Sequence, residues 1–564
     1  MRKLSIFGKV GLWGRSLTCA TATDSSFCLG RSRTWPSRLS AARQAKPPVP
    51  AGAGTGSVLS QKRPISRGRS RTCPTAVWLA FSALAFGQGS VDRDVLTRIG
   101  NESASHSQVE PVFDMFTVTI GPRLTASPAH KRAAEYARER LAAYGLENAR
   151  LEPWHFGRGW TLEKLTVEMI EPRYLPLIGY ADAWSPSTSG EIVTTPLFLG
   201  GKTPEQVDGL RSQLKGAIVM TAPILTNFVR TDRPQPSDPG YQPMSAAYAT
   251  SVGQRSNPAG RGGPAGGAQR IAQSLREGGA GVLLKPSRGE HGTVFVSGRD
   301  AGDSAVPAVT LAAEHYNMIV RMLQQNVPVK LRINVQSKFY DADGGNSYNV
   351  IAELPGSDPA VRDEVVMIGG HLDSWHTGVG ATDNADGSTT VMEAMRILKA
   401  IGVKPRRTIR VALWSGEEQG LLGSKAWVTA HLAGDANQAA REKFDAYFNI
   451  DNGTGPIYGW YLQNSEAVRP LFDPWLEPLK SFGARRNIIE PVGSTDHLSF
   501  IDAGVPGFNP IQDYVNYDVR THHTNMDTVD RLDVKDIRQA AIVMAWYAYN
   551  TAMADQKIPR PGAK

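Results

Sequence analysis

Apolar and polar positions change rhythm along this chain, and the changes divide it. From Ser347 onward, short apolar runs, NVIAELPG, EVVMIGG, TIRVALWS and AYFNIDNG, read as buried strands. Longer stretches alternate with them and read as helices: DGSTTVMEAMRILKAIG, LLGSKAWVTAHLA and, last, DVKDIRQAAIVMAWYAYNTAMA. Such alternation predicts an α/β fold with a mostly parallel mixed sheet flanked by helices. Upstream, PAHKRAAEYARERLAAYG (128–145) reads as an amphipathic helix stopped by Gly145.

Residues 186–338 have another texture. EIVTTPLFLG, GAIVMTA, AGVLLKP and VPAVTLAA are short β-type runs, AQRIAQSLREGG is a helix, and GQRSNPAGRGGPAGG is a Gly/Pro-rich surface loop. Ligand-type clusters are absent there. The pattern predicts a small β-rich domain inserted into a larger one, which holds 89–185 as its N-terminal part and 339–555 as its main part.

Charge changes this picture only at the N-terminus. The formal net charge is +9, but residues 1–75 hold 14 Lys/Arg against the single acid Asp24, which leaves the remainder at −4. The basic pI is therefore no argument for nucleic acid as a partner. Residues 1–75 read as a basic leader or as the product of a start codon placed too early. Within 62–88, KRPISRGRSRTCP precedes the apolar AVWLAFSALAFG and a small-residue cleavage region, with 76–88 as core and cleavage region, so a secretory signal and a secreted or periplasmic protein are expected. Cys19, Cys28 and Cys73 all lie before that cleavage region, which excludes a thiol nucleophile and a cysteine-held metal from the rest. Nothing after residue 90 reads as a membrane span.

In open α/β sheets the ligand crevice lies beyond the carboxyl ends of the strands. His371 and Asp373 follow EVVMIGG, with Asp383 twelve residues past His371; Glu417 and Glu418 follow TIRVALWS; Asp451 follows YFNI; and His522 and His523 lie in DVRTHHTNMDT. Separate strands thus deliver acid or imidazole to one edge. Without cysteine, zinc needs imidazole nitrogen and carboxylate oxygen. A two-metal site also needs a carboxylate that bridges ions about 3.5–4 Å apart. Two Zn²⁺ are balanced by Asp383, Glu418, Asp451 and one hydroxide, and Glu417 is left over as a base for hydrolysis. His291, His315, His376 and His431 read as surface or packing histidines, and Asp496 and His497 as pocket wall or structural residues. The chain has no HExxH, GxSxG, Walker loop or strand-to-helix GxGxxG, and a triad built on Ser415 would leave the acids unexplained.

Taken together, GGHLDSW, GATDNADG, SGEEQGLLGS, NIDNG, TDHLSF and HHTNMDT resemble the family-28 zinc metallopeptidases, which include secreted aminopeptidases and carboxypeptidase Q. The resemblance spans about residues 110–555, and it likens the inserted region to a protease-associated domain. It implies two zinc ions, with His371 and Asp451 on one, Glu418 and His523 on the other, and Asp383 between them. His523 rather than His522 is implied because the family ligand directly precedes the Thr of this motif. Glu417 would be the general base to a shared hydroxide, and the Asp373 carboxylate would accept the free N–H of His371. The implied substrates are short peptides; Trp375, Tyr514, Asn516 and Tyr517 are pocket candidates, and oligomeric state is left open. Two alternatives remain: a glutaminyl cyclase-like acyltransferase on the same fold, and a zinc-containing binding protein without turnover.

Overall fold

Six strands form the central sheet, in the order Glu147–His155, Asn346–Leu354, Thr408–Trp414, Val365–His371, Phe444–Asn449, Gly507–Phe508. The first two pairings are antiparallel, and from Thr408–Trp414 onward the pairings are parallel. This computed structural model describes residues 92–242 and 265–562. The basic leader, the signal-like stretch, the cysteines and most of the Gly/Pro-rich loop lie outside the described residues.

The apolar runs are continuous because both faces of the sheet are covered. Val366 and Ile368 enter one core with the Asp386–Ala400 and Val534–Met553 helices. Met367, between them, points into a second core with Trp414, Trp427 and Phe500. The Asp386–Ala400 helix is buried from Asp386 through Leu398, so it is packed on every side. Each fully buried Val, Leu, Ile or Met contributes about 1.5–3 kcal/mol. That packing holds the strand ends, where the chemistry lies, on a rigid base.

Two further sheets share a separate apolar core. One has four strands, centred on an antiparallel ladder between Gly159–Glu171 and Lys330–Tyr340. The other has five, in the order Gly179–Ala181, Ala308–Leu311, Val282–Pro286, Ile218–Met220, Leu197–Phe198, parallel except for the first pair. These sheets take in residues from Gly159 to Tyr340, so Gly159–Ala181 lies with them and not with the six-stranded sheet. Local pattern does not reveal this, because the ladder partner of Gly159–Glu171 is remote in sequence.

Candidate metal centre

Three strand ends and one loop converge. His371 is the last residue of Val365–His371, Glu417 and Glu418 follow Thr408–Trp414, Asp451 follows Phe444–Asn449, and Asp383 lies in the turn Ala381–Ala385. The parallel register pairs His371 with Trp414 and Gly369 with Asn449, so these ends finish level. Close approach is built into the glycines around them. A Cβ on Gly387 would stand 2.6 Å from the Ile450 carbonyl oxygen, so only glycine lets the helix start press against the turn that carries Asp451.

His371 Nε2 lies 3.2 Å from Asp383 Oδ1 and 3.5 Å from Asp451 Oδ1. On the other side, His523 Nε2 lies 3.5 Å from Asp383 Oδ2 and 2.9 Å from Glu418 Oε2. Asp383 thus faces one imidazole with each oxygen. Glu417 stands at the edge, its Oε2 4.0 Å from His371 Nε2. His522 also places a ring nitrogen within 4.8 Å of the Asp383 and His523 donors, but its ring stacks on Tyr517. His523 is held at φ +61°, a left-handed conformation rare for a side chain of this kind.

Surrounding groups fix these side chains. His371 Nδ1 donates to the main-chain carbonyl of Asp373 at 2.9 Å, while the Asp373 carboxylate is 3.6 Å away. This carbonyl orients the ring through Nδ1 and turns Nε2 toward the Asp383 and Asp451 carboxylates. The Asp373 carboxylate has other work: it accepts from Thr125 Oγ1 at 2.8 Å and from the Glu417 and Glu418 amides at 3.3 and 3.4 Å. It therefore anchors the turn that presents both glutamates.

Other residues the sequence reading did not single out complete the frame. The Asp527 carboxylate accepts from the amides of Thr382 and Asp383 at 2.8 and 3.2 Å, orienting Asp383. Its signal was available, as the acid of HHTNMDT. Buried Arg123 donates to the carbonyls of Leu372, Val379 and Gly380, each at 2.8 Å, and so ties down the loop between His371 and Asp383. Asp496 is fully buried, and neither of its oxygens has a hydrogen bond. Of the pocket candidates, Trp375 lines a small cleft with Asp383, Glu418, His523 and Asp527. Tyr514 and Tyr517 instead pack under Arg233, and the Asn516 amide donates to Asp232. His376 packs edge-on against Trp160 and bonds the Ala181 carbonyl, and His431 pairs with Glu152.

The electrostatics describe a cage short of positive charge. Burial, with Asp451, Asp496 and Glu418 close by, pushes the Glu417 carboxyl well above its usual range; burial and Asp383 do the same to Glu418. Burial alone would depress His371, yet Asp451 and Glu417 carry it well above its ordinary value. His371 Nε2, Asp383 Oδ2 and both Glu418 oxygens are buried with no hydrogen bond. Although His523 Nε2 and Glu418 Oε2 are close, they are not aligned as donor and acceptor. Orphaned buried donors and acceptors cost about 1–3 kcal/mol each, and more when charged, so lone pairs turned onto one point call for a cation. Imidazole nitrogen with carboxylate oxygen suits zinc, so the residues present fit such an ion.

Known proteins resemble this chain in sequence and fold. The sequence pattern of Peptidase family M28 matches residues 349–548. Carboxypeptidase Q of Bos taurus is 27% identical over 443 residues, 78% of this chain and 84% of that protein. A crystal structure of an M28 peptidase precursor from Shewanella amazonensis superposes with a TM-score of 0.63 at 26% identity, covering 84% of this chain and 99% of that one. A zinc aminopeptidase from Bacillus subtilis shares the fold at a TM-score of 0.51 and 18% identity, over 78% of this chain and 93% of its own. With strand-end acids and imidazoles caged at the sheet's carboxyl edge, and with residues 349–548 matching Peptidase family M28, the chain is a metallopeptidase.

Proposed function

We propose that this chain is a secreted di-zinc exopeptidase that hydrolyses short peptides. What carries the two-metal reading is Asp383, whose oxygens stand 3.2 and 3.5 Å from two different imidazoles. His371 and Asp451 would hold one ion, Glu418 and His523 the other, with Asp383 shared. When bound, zinc supplies polarisation of the scissile carbonyl and acidification of the attacking water. Glu417, beside the two ligand sets, accepts the proton from that water and hands it to the leaving amine nitrogen. Trp375 lines one wall of the cleft. Asp527, Asp373 and Arg123 hold the donors in place, so little reorganisation accompanies reaction. The two-sheet region is read as an inserted domain of the protease-associated kind.

Export rests on the signal-like stretch at 62–88. Among the described residues no helix is long and apolar enough to cross a membrane. Short peptides, not nucleic acid, are the proposed partners.

The test is amine release by the zinc-loaded protein from a free dipeptide, its N-acetyl form, its C-terminal amide and an aminoacyl anilide. Cleavage of dipeptide and anilide but not the acetylated form marks an aminopeptidase. Cleavage of the free dipeptide alone marks a dipeptidase that reads both termini. No cleavage by protein carrying two zinc ions sinks the exopeptidase reading in favour of a silent binding protein.

A further inference from the structure

His523 comes from no strand of the central sheet. It lies in the loop 513–525, and both sides of that loop are held by the two-sheet region. On one side, the Val296 amide donates to the His523 carbonyl at 2.8 Å, and Val294 and Asn525 bond each other. On the other runs an irregular strap, residues 229–241, with neither helix nor strand. Its Asp232 carboxylate accepts from the Asn516 and Val519 amides at 2.7 and 3.1 Å. Arg233 donates to Asp518 through Nε at 2.9 Å and Nη2 at 2.6 Å, and to Asn452, next to Asp451, through Nη1 at 3.1 Å. Its guanidinium also lies over the rings of Tyr514 and Tyr517, at 4.7 and 5.8 Å. Further along, Arg486 donates to the carbonyls of Pro236 and Asp238, and Tyr241 to Glu490.

A two-pronged Arg–carboxylate pair fixes direction as well as distance. Here it spans two regions, and it grips the loop five residues before His523. We propose that Arg233 is a positioning residue for the metal centre: the strap locks the 513–525 loop, and the lock sets how tightly the His523 half of the site holds its ion. The inference rests on the reading of His523 as a ligand. It makes the inserted region part of the metal site and not a detachable appendage.

The experiment uses the full chain and its Arg233→Met, Arg233→Lys, Arg233→Asp/Asp518→Arg and His523→Ala forms. Zinc release to a chelator and amide hydrogen exchange are followed together. In Arg233→Met, exchange at 516–523 should rise while that of Val365–His371 stays protected, and the His523-dependent ion should bind about 10–100-fold more weakly, as for other groups that orient metal ligands. Arg233→Lys keeps the charge but not the fork, so it should fall between; the charge-swapped pair should recover part of the loss. Exchange and zinc release unchanged in Arg233→Met would overturn the proposal, as would faster exchange with unaltered zinc affinity. A wild-type chain whose zinc content is indifferent to His523→Ala would overturn it too, but by a failure of the ligand reading that is visible without any Arg233 variant.

Discussion

The two-sheet region and the six-stranded sheet each set an acid just past a strand, and the acids fare differently. Asp182 follows Gly179–Ala181; it accepts from Thr310 Oγ1 at 2.8 Å and pairs with the ammonium of Lys285. Glu418 follows Thr408–Trp414, is wholly buried at its carboxylate, and has no hydrogen bond at either oxygen. A charge that is matched is architecture. One that is unmatched, among others of the same sign, is tolerable only where it takes up a proton or a cation. The contrast teaches where chemistry lies more directly than depth or exposure does.

The sharpest way to break it is at the proposed base. Glu417→Gln preserves shape and removes the proton acceptor, so kcat should fall about 10²–10⁴-fold with zinc content unchanged. Wild-type turnover in that variant would remove Glu417 from its role.

A second test takes the metal away and varies pH. In the metal-free chain, burial lifts Asp496 and Asp527 to about 7, and His371 also stands well above 6.5. A folded state that holds protons the unfolded chain has released loses stability as pH rises. Burial pulls His130, His376 and His497 down to about 4, which acts in the opposite sense, but only up to their ordinary 6.5. Above that, only the raised groups still titrate. The thermal midpoint of chelator-treated protein should therefore fall between about pH 6.5 and pH 8, and saturating zinc should abolish the slope. A midpoint that rises over that interval would contradict the cage described here.

The smallest effect belongs to the matched acid. Asp182→Ala frees Lys285, itself 38% exposed at its side chain, to water, and gives up the bond from Thr310. Denaturant unfolding should show a loss of about 0.5–1.5 kcal/mol, with kcat and zinc content unaltered. A loss of zinc there would erase the distinction between the two regions.

Legibility in the sequence followed the same divide. The clustering of His371, Asp383, Glu418, Asp451 and His523 could be read because most of them follow an apolar run whose carboxyl end has a known place in a parallel sheet. Groups that reach the site from elsewhere left no such trace. Arg123 and Thr125 arrive from well upstream, and Arg233 from a stretch that carries only loop signals; their roles exist solely in tertiary contacts. The ladder between Gly159–Glu171 and Lys330–Tyr340 is of this kind too, since strand pairing over such a separation has no local signature. Asp373 was noticed for its carboxylate, while its carbonyl does the orienting of His371, a function open to any residue type.

The spread of the donors along the chain carries a mechanical consequence. No cysteine follows Cys73, so no disulfide can brace the described residues. On the proposed ligand set, zinc would make the Val365–His371 strand end, the turn after Phe444–Asn449 and the loop at His523 staples of one clasp, closing chain segments that span residues 371–523. Such a clasp restrains the unfolded chain as covalent cross-links do, but it opens to a chelator and closes again without redox chemistry.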